Sequence, residues 1–251
     1  MRVSVISPHS RHTGNTTLAI LIALELANNE VKTCITHTKS MSPEFYRYLN
    51  FRGIQDKTST PSQIVKILRG GSLDNKDIVD YCKVVNDNLE AFTNNTENFD
   101  QKDMDFMVSY ITNSFPHEHV VFDVSSNLTT IDTSDVIIFN ITQSIEELKE
   151  LKNYTEILKK ENVVVVINKY NSIKSTLKEV AFWGDIKLKN NCTILHDNPW
   201  INWATNHGQL NILYKKIASK DERVIGIKEE LNKICSLAFS INAKKPGRRV
   251  R

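Results

Sequence analysis

"VISPHSRHTGNTTLAILIALEL", residues 3–24, decides how the rest of the chain is read. Val3–Ile6 is a short, continuous apolar run, as in a strand buried on both faces of a parallel sheet. A polar loop follows, and Gly14-Asn15-Thr16-Thr17 opens a helix that continues through Leu18–Ala27. A strand, a loop and a helix in that order converge backbone N–H groups and the positive end of a helix dipole on one point. This is the layout of a phosphate-binding loop. Gly14 lets the backbone approach phosphate closely, Thr16 is placed for its hydroxyl to reach a magnesium ion, and Thr17 is placed to bond an inner phosphate. A full Walker loop has a lysine where Asn15 stands. Asn15 can donate a hydrogen bond but carries no charge, and losing a desolvated charge partner costs about 2–5 kcal/mol. Arg11 or a protonated His12 can restore part of that from within the loop. Taken alone, the stretch is equally the Ser/Thr-rich helix start of any α/β protein.

Further apolar runs lie at Val120–Phe122, Val136–Phe139 and Val163–Ile167, with weaker ones at Val31–Ile35 and Cys192–Leu195. Between them fall helical patterns. In Ser144–Lys160, Ile145, Leu148, Leu151, Ile157 and Leu158 share one face. Alternating strand and helix signals predict an α/β fold, a doubly wound, mostly parallel sheet with right-handed crossovers. A chain of 251 residues can bury one sizeable core. The reading is a single domain over 1–241, with a helical insertion at about 41–116 and a basic tail at 242–251. In the insertion, Thr60-Pro61 opens a helix closed by Gly70-Gly71. Two more helices are expected at about Asn75–Phe92 and Gln101–Thr112, parted by the Asn-rich stretch Thr93–Asp100. The last helix is expected at Asp221–Ile241.

The formal net charge of +3 gives no broad basic footprint. Cys34, Cys82, Cys192 and Cys235 lack CxxC spacing and read as buried, reduced thiols of a cytoplasmic protein. No apolar run approaches the ~20 residues of a membrane span, and the first residues read as a strand rather than a secretory leader.

Several segments together resemble the ParA/MinD family of deviant-Walker P-loop ATPases, from residue 1 to about residue 215. Ser10-Arg11-His12-Thr13-Gly14-Asn15-Thr16-Thr17 aligns without gaps to that family's KGGxGKTT. "HEHVVFDVSS" resembles its second switch, with Asp123 matching the acid that orders magnesium through water. "VVVVINKYN" is similar to the strand ending in Asn-Lys/Arg, whose asparagine reads the purine edge, here Asn168 followed by Lys169. "ILHDNPWINWATNHGQL" resembles the loop that closes over the base, with His196 replacing a proline and Asn198 nearby. The resemblance implies ATP or ADP held by Arg11, His12, Thr13, Gly14, Asn15, Thr16, Thr17, Asn168, Lys169 and Asn198. It places Mg at Thr16 and, through water, Asp123.

The departures fall on the chemistry. From Val31 to Pro43 there is no acidic residue, and Thr36-His37-Thr38 stands where the family carries the acid that positions water. Ser10 replaces the lysine that reaches across a dimer. Val124-Ser125-Ser126-Asn127 lacks the glycine that follows the switch acid. Phosphoryl transfer depends on positioning and charge stabilisation, so the resemblance implies a scaffold with little or no ATP hydrolysis. Such a scaffold would place DNA or a conjugation, secretion or pilus machine, as the TadZ/CpaE and VirC1-like branches do. It would be a homodimer with a protein partner, cytoplasmic and recruited to nucleoid, membrane or pole. Alternatives are an active partition ATPase using Arg11, a metabolic enzyme on the same scaffold, or a Rossmann protein. Against the last, G-x-G-x-x-G is missing.

Other features have plainer readings. His117 and His119 fit a solvent-exposed strand entrance better than a metal pair. Asp132 and Asp135 read as turn and cap residues, and Trp183, Trp200 and Trp203 as packing residues. In "KKPGRRVR", Lys244, Lys245, Arg248, Arg249 and Arg251 form a solvated end or a weak contact with DNA or an anionic membrane.

Overall fold

The structure is a computed structural model. It describes residues 1–9, 13–38, 43–49, 61–71, 77–92, 100–124, 128, 130–186, 191–219 and 221–244. The elements run β1 (Arg2–Ile6), α1 (Asn15–Ala27), β2 (Thr33–His37), α2 (Pro43–Tyr48), α3 (Pro61–Arg69), β3 (Lys83–Asn86) and β4 (Leu89–Phe92). They continue with α4 (Gln101–Ser114), β5 (His119–Asp123), β6 (Val136–Ile141), α5 (Ile145–Glu150), α6 (Thr155–Leu158) and β7 (Val163–Tyr170). The chain ends with α7 (Leu177–Gly184), β8 (Cys192–His196), α8 (Pro199–His207), α9 (Leu210–Ala218) and α10 (Ile225–Ala243).

The sheet has the order β3-β4-β2-β5-β1-β6-β7-β8. Every pairing is parallel except β3 with β4. Central β1 sits between β5 and β6, in register Val5 with Asp123 and Val5 with Ile138. The loop after β1 therefore emerges at the point where successive strands are added to opposite sides. In open α/β sheets that crevice is where ligands bind. Helix α1 is apolar all round, as a fully enclosed helix must be. Leu18 through Ala27 are all buried, between the sheet and helices α9 and α10. Two apolar clusters flank the sheet. One holds Val3, Val5, α1 and α10; the other holds Ile6, Phe122, Phe139 and residues of α4, α5 and α7. Helix α10 buries Ile227, Leu231 and Ile234, so it covers the sheet as its spacing predicts.

The helix expected over Asn75–Phe92 is replaced by a 3-10 turn, Asp77–Tyr81, and the β3–β4 hairpin. Asn86 decides this, because its side-chain oxygen accepts from the N–H of Asn88 and Leu89 at 3.0 and 2.8 Å and closes the turn. Leu89 and Ala91 are then buried as β4 pairs with β2. The insertion is thus partly sheet. The helical pattern of Ser144–Lys160 is interrupted by a 3-10 segment, Leu151–Tyr154. There Gly184 of α7 approaches so closely that a Cβ on it would lie 2.9 Å from Leu151. Strand β2 starts at Thr33 rather than Val31.

His117 is not solvent-exposed; it is 5% accessible and its Nε2 lies 2.7 Å from Glu90. Asp135 is neither turn nor cap, since its carboxylate accepts the N–H of Arg2 at 2.7 Å and fixes the start of β1. Trp183, Trp200 and Trp203 remain 43, 39 and 43% exposed, so none is a fully packed residue. Cys34 and Cys235 are buried, whereas Cys82 and Cys192 are only half-buried. Thr60, Ser125–Asn127, Lys245, Arg248, Arg249 and Arg251 lie outside the described residues, and Lys244 ends α10 exposed. Among the described residues no helix is long and apolar enough to cross a membrane.

One charged side chain is built into the α1 interface. Glu25, 3% exposed, receives Lys228 Nζ on both oxygens at 2.7 and 2.8 Å and the Tyr214 hydroxyl at 2.6 Å. Burial, then the bond to Glu25, pushes the Tyr214 phenol far up. Breaking a buried pair strands the remaining charge. Glu25→Ala is therefore expected to cost about 3 kcal/mol in urea unfolding, and Glu25→Ala with Lys228→Met to recover part of it. A second expectation concerns acid. Burial first, then the positive chain terminus, lowers His119 from 6.5 to about 4. A depressed histidine contributes stability that is full above about 6.5 and is lost as pH falls toward 4. His119→Asn should flatten the fall in unfolding free energy across that window.

Candidate functional site

The described end of the loop between β1 and α1 is pinned from below by three asparagines. Gly14 is the N-cap of α1, in the left-handed region at φ 74, and its carbonyl accepts the first helical N–H, from Leu18, at 2.9 Å. A Cβ there would sit 3.1 Å from Asn168 Nδ2, so both conformation and space call for glycine. Asn168, at the end of β7, donates to the Thr13 carbonyl at 2.9 Å. Asn140, from β6, lies 3.4 Å from the Thr13 carbonyl and from Asn15 Oδ1. Asn15 faces inward, its Nδ2 donating to Asp123 Oδ1 at 2.7 Å, to the Val5 carbonyl at 2.9 Å and to the Val124 carbonyl at 3.2 Å. The side chain in the lysine's place therefore fastens the loop to β1 and β5.

Thr16 Oγ1 donates to Asp123 Oδ2 at 2.6 Å, and Asp123 is 1% exposed. A hydroxyl and a carboxylate at that separation are the hard oxygen donors that suit magnesium, which keeps several waters when bound through so few protein ligands. The residues present thus fit that ion. Thr17 lies 3.5 Å from Thr205 of α8, so the first turn of α1 also touches the far wall. Asn198 caps α8, accepting the N–H of Trp200 at 2.9 Å.

These groups line one cleft of about 750 Å³, within the size range of small-molecule sites. Thr13, Gly14, Asn15, Thr16, Thr17, Asp123, Asn168, Lys169 and Asn198 are all brought to it. Arg11 and His12 lie outside the described residues. Sequence reasoning missed a wall of the cleft formed by Glu44, Arg47 and Tyr48 of α2, facing Asn202 and Asn206 of α8. A six-residue helix gives no local sign of where it will lie. The indirect clue was Gly208, at φ 68, where a Cβ would fall 2.1 Å from the Arg47 carbonyl. His9 also lines the cleft, its Nε2 3.3 Å from Glu150. Behind the loop, Glu147 is buried and accepts the hydroxyls of Thr142 and Ser7, and burial raises its pKa. Among the described residues no group of three or more His, Cys, Asp or Glu is placed to hold a metal ion.

No family model and no curated protein matches the sequence. Solved structures do. A plasmid partition protein of Borrelia burgdorferi, bound to AMPPNP, is 17% identical with a TM-score of 0.62, covering 95% of this chain and 98% of its own. The septum site-determining protein MinD of Pyrococcus horikoshii, with Mg-ADP, is 14% identical at 0.66, covering 97% and 99%. A ParA family ATPase of Chlorobium tepidum is 11% identical at 0.67, covering 94% and 98%. The chain therefore has the α/β fold of the ParA and MinD ATPases along nearly its whole length.

Asn15 is expected to be structural as well as positional. Asn15→Ala removes a donor shared by three acceptors; the Val5 carbonyl keeps the Val124 N–H and Asp123 keeps Thr16, so the lost bonds should cost about 1 kcal/mol. Chemical denaturation without nucleotide should show that loss.

Proposed function

We propose that this protein is a nucleotide-binding scaffold with the fold of ParA and MinD that hydrolyses ATP very slowly or not at all. The observation that carries the reading is the inward-facing Asn15. The carboxamide is consumed by Val5, Asp123 and Val124, so the side chain in the lysine's place offers a bound phosphate neither charge nor donor. Where the water-orienting acid would stand, at the end of β2, His37 lies in register with Asp123 and packs on Phe45 at 5.4 Å. The cleft is also lined by Asn168, Lys169 and Asn198, the Asn168 amide being already bonded to the Thr13 carbonyl and the Lys169 N–H, and Thr16 with Asp123 keeps the magnesium donors. Binding of ATP or ADP with Mg but without turnover follows from that division.

The cellular task we infer is spatial: placing DNA, or a conjugation, secretion or pilus machine, from a single domain that pairs as a homodimer. Support comes from the fold neighbours, which include plasmid partition proteins and MinD, one of them in a MinC:MinD complex from Aquifex aeolicus. A protein partner here is the corresponding expectation, with the protein in the cytoplasm and recruited to nucleoid or membrane. Lys244 and the basic residues after it are available for weak contact with DNA or anionic lipid. The second reading, an active partition ATPase, is favoured by one finding: Glu44 and Arg47 line the cleft, and they carry the two kinds of charge the loop has lost.

A turnover assay separates the two readings. Wild-type protein should bind ATP and ADP in a thermal-shift titration yet release no phosphate above background. Asn15→Lys should tighten ATP by about tenfold or more, the scale of one restored charge contact. Sustained hydrolysis abolished by both Thr16→Ala and Glu44→Gln would establish the second reading instead. In the same samples, sedimentation should find a dimer whose formation does not require ATP.

A further inference from the structure

Helix α8 has two faces with different surroundings. Asn202, Thr205 and Asn206 line the cleft already described, while Trp200 and Trp203 line a second, smaller groove against α9. Trp200, Trp203, Ile212, Leu213, Lys216 and Val224 enclose it, with a volume of about 40 Å³. Its floor is buried, Leu213 and Val224 being 3% exposed, whereas Ile212 stands 48% exposed beside the two open tryptophans. The Trp203 ring is held in place. His207 stacks on it at 4.8 Å with an interplanar angle of 25°, and the same histidine's Nδ1 lies 2.8 Å from the Trp203 carbonyl. Large apolar side chains left open to water together, with polar residues around them, mark a contact surface. The charge around the groove is one-sided. Neither α8 nor α9 contains an acidic residue, and Lys215, Lys216 and His207 are exposed on them. Asp221, at one end of the groove, already has a partner within the chain.

We infer that this groove docks an acidic segment of a partner protein, one bulky apolar side chain entering between Trp203 and Ile212 and a carboxylate meeting Lys216. The inference stands on the groove alone, whether or not the cleft holds a nucleotide. Shape and charge together select this occupant. A buried floor between two helices admits a single side chain, whereas a bilayer or a DNA backbone meets a protein across a broader face. DNA would also call for more cations than two lysines and a histidine supply beside Asp221 and Glu222. A second copy docked through the same groove would bring Lys216 against its own counterpart, because a two-fold contact presents one patch from both sides. An acidic segment meets neither obstacle. Tryptophan is among the residues that most often carry binding energy at such contacts, and it gives up little side-chain freedom in doing so.

Selection of random peptides displayed on phage against the full chain tests this. Recovered sequences should combine a bulky apolar residue with acidic neighbours. The tightest of them, made as a fluorescein-labelled peptide and followed by anisotropy, should bind about tenfold or more weakly to Ile212→Glu and to Lys216→Glu. Its affinity for Lys178→Glu, an exposed position on α7, should stay within about twofold of wild type. Ile212 and Lys216 are both exposed, so the melting temperatures of their variants should match wild type; if that of Ile212→Glu falls, Lys216→Glu decides. The inference is overturned if no peptide is recovered, if those recovered lack the acidic and apolar pattern, or if the folded groove variants bind within about twofold of wild type. It is equally overturned if Ile212→Glu abolishes binding to phosphatidylglycerol vesicles, to duplex DNA, or between copies in sedimentation, since the groove then belongs to lipid, nucleic acid or a second copy.

Discussion

The carboxamide of Asn15 joins β1, the end of β5 and the first turn of α1 through hydrogen bonds to Val5, Asp123 and Val124. A longer, charged side chain at that position would leave the helix and reach outward to a ligand. The shorter amide turns back on the backbone that carries it. The start of α1 is thereby fixed by the protein's own acceptors. Asn140 and Asn168 complete the arrangement from β6 and β7, so four parallel strands converge on one turn of chain. Buried amides of this kind rigidify a site when their partners are satisfied.

The rest of the molecule holds that turn still. Helix α1 is enclosed on all sides, by the sheet beneath and by α9 and α10 above, and its one buried acid is answered by Lys228 and Tyr214. A helix so confined cannot shift its first turn without disturbing an apolar cluster. The first turn of α1 forms one side of the cleft, and α2 brings Glu44, Arg47 and Tyr48 to its outer wall. Two basic side chains from other elements line the same cleft, Lys169 from a bulge in β7 and Arg47 from α2.

Much of this was legible along the chain. Continuous apolar runs gave four of the strands, because a strand buried on both faces must be apolar throughout, and weaker runs gave two more. The glycine and hydroxyl residues at 14, 16 and 17 marked the loop, because close backbone approach and metal ligation each demand a residue type. The hairpin Lys83–Phe92 was misread as helix. Two short strands parted by Asn-Asp-Asn carry a polar pattern that local periodicity cannot tell from a helix face, and pairing with β2 decides it. His117 was misread for a similar reason. A histidine before a strand reads as exposed until Glu90 arrives from a strand brought beside it.

By itself the sequence determined six of the eight strands in their order, the place of the loop between β1 and α1 and the lack of a lysine at position 15 within it, since these depend on residue type and short-range spacing. Tertiary structure decided where the substitutes point. The inward turn of Asn15, the left-handed bulge that lays Lys169 over Gly14, and the placing of α2 against α8 each depend on segments from about 110 to 160 residues apart. Local propensity is blind at that range, because the contact that fixes each side chain exists only once the sheet has brought its partner alongside.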